Sequence, residues 1–243
     1  MMDTRLALMA GSDIPIPECQ LTLHQPTIKE ISYMGEDDFF KGVQCLCLHK
    51  SMFVEGKDVP SDINNFQIFM TMMMDKSTVD KKDSVLQLLS ILFPHYKVLF
   101  TPRSLLFQGD GDSKMVDESN FEQMQDVLRQ VFCANTGPMD QQAFNPANEQ
   151  AKEIAQKLMR GRQRVAAQKD GGTTQSAFSR YLSVLTVGLG SMSLLELTNC
   201  TMYQLYDLIE RYILYINWDI NIRTRLAGGK PDTQPEDWMK NIH

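Results

Sequence analysis

Histidine and cysteine are the residue types in this sequence that could most directly hold a metal or act as a nucleophile. Four histidines and five cysteines are scattered through 243 residues, and none falls at the spacing of zinc ligands. Cys45 and Cys47 are separated by one residue, whereas redox motifs place two residues between their cysteines. An odd, scattered set also argues against a disulfide framework. We therefore predict buried free thiols, and we expect no metal and no cofactor.

Other segments that carry chemistry in enzymes are incomplete in this chain. Asp110 and Asp112 begin like a calcium loop, but Lys114 follows and the downstream acidic pattern is missing. Residues 188–191 do not form a nucleophile elbow, and the chain has no phosphate-binding glycine loop. We therefore expect a binding or assembly protein and not an enzyme.

One basic segment, residues 157–169, contains no acidic residue. Its central cations, Arg160, Arg162 and Arg164, are compatible with a solvated helix face, a site for an acidic partner protein or a contact with nucleic acid. Little aromatic interleaving and a formal net charge of −6 argue against nucleic acid. Nucleic-acid binding is kept as the third interpretation.

The most informative segment is a long predicted helix over residues 201–227. Apolar residues recur at three- and four-residue spacing and are predicted to face the core: Met202, Leu205, Ile209, Tyr212, Ile216 and Ile220. A second stripe, formed by Leu208, Tyr215 and Ile222, lies about 100° around the helix. Burial on two sides indicates either a central helix of a bundle or a helix that packs on a partner.

Trp218 lies about 180° from Ile209 on this helix. Arg211 and Arg225 are each seven residues from Trp218 and share its face. An indole flanked by two arginines resembles an interface hot spot. Stacking of the indole on arginine at a free surface is the alternative.

The chain closes with a short aromatic tail. Gly228 and Gly229 are predicted to end the long helix, and Pro231 prevents it from resuming. Trp238 and Met239 then fall on one side of a short turn. This tail is predicted either to dock on its own domain or to act as a short recognition element.

The pattern along the chain predicts a mainly α-helical protein of the α+β class, with an N-terminal lobe over 1–134, a linker over 135–146 and a C-terminal helical bundle over 147–243. The bundle contains the long helix and the tail over 231–243. Other helices are expected near residues 28–34, 36–49, 66–74, 80–92, 117–133, 147–168, 175–187 and 193–199.

The N-terminal lobe is predicted to hold one small antiparallel sheet. A strand over Cys19–His24 and a hairpin over residues 96–108 supply its three strands. Thr27 and Glu30 predict a capping box at the start of the first helix. Residues 1–17 are expected to form a loose arm, because Pro15 and Pro17 oppose regular structure.

Composition fits a globular protein, since 43% of the residues are hydrophobic. No signal peptide is apparent, and no segment approaches the ~20 apolar residues of a membrane span. We expect a soluble cytosolic protein with no membrane partner.

Two stretches resemble proteins of bacteriophage tail modules. Residues 21–31, with the strand, Pro26-Thr27 and helix order, resemble a signature near the start of tail assembly chaperones of long-tailed bacteriophages. The closing segment, with Tyr203-Gln204-Leu205-Tyr206-Asp207 and Asp237-Trp238-Met239, is similar to C-termini of proteins from tail modules of phages and prophages of Gram-positive hosts. The resemblance implies a non-enzymatic protein of the host cytoplasm that binds the tape measure protein or tail tube subunits.

The leading hypothesis is therefore a phage tail assembly chaperone. The alternative is a structural subunit of the tail or baseplate, and the third is a nucleic-acid adaptor that uses residues 157–169. A homo-oligomer is left open. The residues expected to contact a partner are Arg160, Arg162, Arg164, Leu208, Arg211, Tyr215, Trp218, Ile222, Arg225, Trp238 and Met239.

Overall fold

The structure is a computed structural model, and it describes residues 4–49, 63–75, 78–134, 176–229 and 237–239. The predicted linker over 135–146 and the predicted helix over 147–168 lie outside these residues. The basic candidates Arg160, Arg162 and Arg164 lie outside them as well.

The N-terminal segment is folded, so the prediction of a loose arm is wrong. It forms helix α1 (Thr4–Ala10), strand β1 (Ile14–Ile16), a 3₁₀ turn (Pro17–Cys19) and strand β2 (Leu21–Leu23). β1 and β2 pair antiparallel, with Ile14 opposite Leu23. Pro15 is tolerated because it lies on an edge strand and faces solvent between two buried isoleucines. Pro17 occupies the start of the 3₁₀ turn, where its missing N–H costs nothing.

Four helices follow β2, and their positions confirm the predictions to within a few residues. They are α2 (Ile28–Met34), α3 (Glu36–Leu46), α4 (Asn65–Met74) and α5 (Val79–Leu92). α2 begins with the predicted capping box, in which Thr27 and Glu30 bond reciprocally. α3 packs closely on α5 at Gly42, where a β-carbon would lie 3.0 Å from Leu88 Cδ2.

The second sheet has three antiparallel strands in the order β3 (Lys97–Phe100), β4 (Leu105–Gln108) and β5 (Ser113–Val116). The predicted hairpin is confirmed as β3 and β4. The predicted third strand instead pairs with β1, so the described residues form two small sheets where one was expected. β5 escaped prediction because Val116 is its only buried residue. Helix α6 (Phe121–Val131) follows β5.

Three helices close the described part of the chain: α7 (Ala177–Leu189), α8 (Leu194–Thr198) and α9 (Met202–Leu226). α7 joins the same core as the N-terminal helices, because the Phe178 ring stacks on Phe40 at 5.4 Å and meets Phe39 edge-on at 6.1 Å. Glu36 accepts hydrogen bonds from the Ser176 hydroxyl and the Ala177 amide at the start of α7. The mainly helical α+β class is confirmed. The division into two lobes stays a prediction.

Candidate protein-binding site on the last helix

The first turn of α9 is fixed to the N-terminal part of the chain. Thr201 and Gln204 form a capping box, and Thr201 also pairs with Thr27 in an isolated antiparallel bridge. The Gln204 side chain donates a hydrogen bond to the Met9 carbonyl at 2.7 Å. The Ile28 amide donates to the Cys200 carbonyl at 2.9 Å. These contacts set the direction in which the rest of α9 extends.

Burial along α9 stops about one third of the way along the helix. Met202, Tyr203, Leu205 and Ile209 are at most 6% exposed, but no residue of α9 after Ile209 is buried. α9 has 25 residues and is therefore about 37 Å long. Gly188, next to the last residue of the neighbouring helix α7, lies against Tyr212, and α9 runs on from there to Leu226.

The apolar stripe of α9 therefore leaves the core, which corrects part of its prediction. Ile220 was expected to face the core and is 55% exposed. Ile216 is only half-buried. Ile213, on the same side of the helix, is 52% exposed. The stripe keeps its helical spacing beyond Ile209, the last residue of α9 that is buried in the described structure, as at an uncovered interaction surface.

The opposite side of α9 carries a second group of candidate residues. At ~100° per residue, Arg211, Tyr215, Trp218, Ile222 and Arg225 fall within roughly 80° of one another. The sequence analysis treated these residues as two separate features, a second apolar stripe and a tryptophan between two arginines. In the structure they lie on one face of the helix. Leu208, the remaining member of the predicted stripe, is half-buried and packs against the core.

Three aromatic rings meet on this face. The Trp238 indole packs edge-on against Tyr215 with ring centroids 5.6 Å apart, and it lies 6.4 Å from Trp218. Tyr215 and Trp218 are themselves nearly parallel at 6.3 Å. Aromatic pairs at these separations attract beyond their simple burial. We call Tyr215, Trp218 and Arg211 together the tail seat.

Arg211 supplies the polar part of the tail seat. Its Nη1 donates a hydrogen bond to the Trp238 carbonyl at 2.9 Å, and its Nη2 lies 3.6 Å from Asp207 Oδ1. The Asp207 side chain is only 8% exposed, so a buried carboxylate orients the guanidinium. The Met239 amide donates to Asp237 Oδ1, which closes the turn around Trp238. Of the two alternatives for the tail, residues 237–239 are docked on their own domain.

Two ionisable side chains at α9, those of Cys133 and Tyr206, have pKa values raised well above neutral pH. Burial raises the pKa of the Cys133 thiol to about 12, and the carboxylates of Glu210 and Asp207 add to this shift. Burial likewise raises the pKa of Tyr206 to about 12. A thiol and a phenol with such pKa values are poor nucleophiles at neutral pH. The arrangement is suited to packing and hydrogen bonding.

The prediction of buried free thiols is confirmed for three of the five cysteines, whereas Cys133 and Cys200 are half-buried. All five cysteines are free, and Cys19, Cys45 and Cys47 are buried. Burial raises the pKa of Cys19 to about 11 and that of Cys47 to about 12. Within the described ranges, no cluster of three histidine, cysteine or acidic side chains could hold a metal ion. In the same ranges, no helix is both long and apolar enough to cross a bilayer.

One polar cluster escaped the sequence analysis. His24 Nδ1 lies 3.0 Å from Asp13 Oδ1, and His24 Nε2 lies 3.3 Å from both Glu30 carboxylate oxygens. Burial lowers the pKa of His24, but the hydrogen bonds and charges of the two carboxylates outweigh it, so the pKa is raised. The capping box places Glu30 near His24 in the sequence, so the His24–Glu30 contact was predictable. The His24–Asp13 contact was not, because it depends on the β1–β2 hairpin, which was not predicted.

Comparison with known families gives a match to the C-terminal part of the chain. Residues 172–243, which include α7, α8, α9 and Trp238, match the family model described as the YomV second domain. This family is phage-derived, which supports a phage origin for the chain. The match covers less than one third of the sequence. No curated protein and no solved structure matches the chain.

Proposed function

We propose that this chain is a non-enzymatic phage assembly protein that binds a helical segment of a partner through residues 211–226. We call these residues the outer part of α9. The observation that carries the proposal is the mismatch between composition and burial in residues 211–226. This half-helix is apolar on two sides, yet none of its residues is buried. An apolar stripe along a helix normally packs against another surface.

The exposed stripe has the chemistry of a helix-binding surface. Ile213 and Ile220 are more than half exposed, and Ile216 lies between them along the same side. Residues spaced in this way form a row onto which an amphipathic partner helix can lay its apolar face. Leu226 is 83% exposed and adds apolar surface near the end of α9.

The proposed client is the tape measure protein, with the tail tube subunit as its companion, and the proposed place of action is the host cytoplasm. Two observations support this finer assignment. Residues 21–31 resemble the start of tail assembly chaperones, and the C-terminal part matches a phage-derived family. A tape measure protein is a long helical chain, so its apolar faces need cover until the tube encloses them. The outer part of α9 would supply that cover.

The same exposed stripe also favours a second candidate function. A structural subunit of the tail or baseplate would use this surface in a permanent interface. The two functions differ in one respect: a chaperone is absent from mature particles, whereas a structural subunit is present at fixed copy number. The nucleic-acid alternative depends on residues 157–169, which lie outside the described residues.

The test uses the tagged full-length chain in cells that are producing the phage. The affinity eluate and the mature particles are both analysed by mass spectrometry. The chaperone proposal predicts tape measure protein in the eluate and no copies of this chain in particles. An Ile213→Ser/Ile220→Ser variant should lose the client.

Tyr33→Ser is the matched control, because Tyr33 on α2 is 77% exposed and far along the chain from α9. This control variant should retain the client. Equal recovery of tape measure protein with the wild-type chain, the Ile213→Ser/Ile220→Ser variant and the Tyr33→Ser control would contradict a role for α9. If the chain is present in mature particles at a fixed copy number, the structural-subunit function is correct and the chaperone function is not.

A further inference from the structure

We infer that the tail seat is a peptide-binding site, which the chain's own C-terminal segment fills as a displaceable internal ligand. The inference starts from the contacts of residues 237–239. Trp238 enters an aromatic pair, and its carbonyl accepts a hydrogen bond from Arg211. One side chain and one backbone group together define a small recognition unit.

Of the three described residues 237–239, Trp238 makes the contacts with Tyr215, Trp218 and Arg211. Asp237 is exposed, and Met239 is 69% exposed. The seat itself does not depend on the tail for its shape. Tyr215 and Trp218 are one helical turn apart on α9, and Arg211 is oriented by the buried Asp207. Release of Trp238 would therefore leave the three seat residues in place on a formed helix.

The connection between the helix and the tail favours reversible occupancy. Seven residues, 230–236, join Gly229 to Asp237, so the tail remains tethered after release. A short tether gives an effective concentration on the order of 1 mM at its own site. A segment with a dissociation constant of ~0.1 mM would then occupy the seat most of the time and still open frequently. A competing segment would have to overcome this internal ligand.

The docked tail also indicates what would replace it. The competing segment should present an aromatic side chain to Tyr215 and Trp218, and a backbone carbonyl to Arg211. We assign this role to an aromatic segment of the partner protein, and this assignment rests on the proposed function. The inference that the tail seat binds the chain's own Trp238 does not rest on the proposed function. Such a partner would contact α9 on both sides, at the exposed stripe and at the vacated seat.

The seat is tested without any partner protein. The full-length Trp238→Ala variant leaves the seat empty, and a labelled peptide of residues 231–243 is added in trans. Fluorescence anisotropy measures its affinity for the variant and for the wild-type chain. We expect binding to the variant and about tenfold weaker binding to the wild type, because the tethered copy competes. A peptide carrying Ala at position 238 should not bind.

A matched pair of arginine changes locates the peptide. Arg211→Ala, introduced together with Trp238→Ala, should weaken peptide binding about tenfold by removing the charge-assisted hydrogen bond. Arg223→Ala in the same background should not. Arg223 is on another face of α9, and its side chain is 78% exposed where it pairs with Asp219. No binding to the Trp238→Ala variant, or equal binding to variant and wild type, would overturn the inference.

Hydrogen exchange on the wild-type chain gives a test that requires no substitution. The Met239 amide, which donates to Asp237, should exchange well before the amides of the second turn of α9. Local opening explains that order, because the tail can leave while the helix stays folded. If the Met239 amide is protected as strongly as the amides of the second turn of α9, the tail opens only on global unfolding. That result would contradict the inference. These results stand whether or not tape measure protein is the client.

Discussion

The Tyr212 ring lies directly against Gly188, one residue before the end of α7. A β-carbon on residue 188 would fall far inside van der Waals contact with Tyr212 Cζ and Oη. The glycine therefore lets α9 approach α7 closely near the end of α7. Beyond Tyr212, Ile213 and Ile220 are more than half exposed, so the proposed binding surface extends from this contact.

We predict that Gly188 and Tyr212 are energetically coupled. Gly188→Ala alone adds a methyl group that must displace the Tyr212 ring, an overpacking that costs about 1–3 kcal/mol. In a Tyr212→Ala background the clash is absent, and the substitution should stabilise α7 by about 1 kcal/mol through helix propensity. A double-mutant cycle by urea unfolding should give a coupling free energy of at least about 1 kcal/mol. Additive effects would show that the ring moves aside freely.

The second prediction concerns the anchor of α9. Thr201 is buried, caps the helix and pairs with Thr27. Thr201→Ala should lower the free energy of unfolding by about 1–2 kcal/mol, since the Gln204 amide loses its acceptor. Ser193→Ala is the matched control, because Ser193 caps the short helix α8 and its bonds are exposed. A loss at Ser193 equal to that at Thr201 would argue against a special role for this anchor.

The third prediction is a pH dependence of stability from His24. Because its folded pKa is raised, the stabilising contribution of protonated His24 is fully present below the unfolded value near 6.5. It is lost as the pH rises through the folded pKa. The free energy of unfolding should therefore fall as the pH rises from about 6.5 through the raised folded pKa of His24. His24→Gln should remove this slope in urea titrations across that range, and an unchanged slope would place its origin elsewhere.

Glu30, in the same cluster, is expected to make the stability of the protein depend on pH in the acid range. Burial raises the pKa of Glu30, but the hydrogen bonds from Thr27 and His24 outweigh it, so the pKa is lowered. The contribution of ionised Glu30 is present above the unfolded value near 4.5 and is lost as the pH falls through the folded pKa. Glu30→Gln should therefore flatten the acid limb of the stability profile. Retention of the full acid limb in this variant would contradict that origin.

A further prediction tests the polar centre of the N-terminal core. The Gln125 side chain is fully buried and donates to the Leu46 and Leu48 carbonyls at 2.8 and 3.0 Å. Gln125→Leu would leave both carbonyls without these donors, at a cost of about 1–3 kcal/mol. Thermal unfolding should show the loss. Gln130→Leu, on the same helix α6 but exposed, should change the stability little.

Features that depend on neighbouring residues were predictable from the sequence. The Thr27–Glu30 capping box and the β3–β4 hairpin each need only a few adjacent residues, and both are present. Strands β1 and β5 were missed because pairing gives them their structure: β1 contains a proline, and β5 shows little apolar alternation. Their formation depends on contacts with another strand that a local pattern does not record.

The candidate site was predictable in its composition and not in its arrangement. The apolar periodicity of α9 correctly predicted a long helix and named most residues on its outer face. It could not show that burial stops after Ile209, since helical spacing continues where the core does not. The return of Trp238 to Tyr215 and Trp218 was likewise one of two alternatives, because docking depends on the path of the chain after Gly229.

The most direct test of the central proposal is photo-crosslinking from the exposed stripe of α9 in cells that are producing the phage. A photoreactive amino acid is placed at position 220, where Ile220 is 55% exposed, and at position 33 as the control. We predict a crosslink to the tape measure protein from position 220 and none from position 33. Absence of any tail-protein crosslink from position 220, or the same crosslink from both positions, would contradict a binding surface on the outer part of α9.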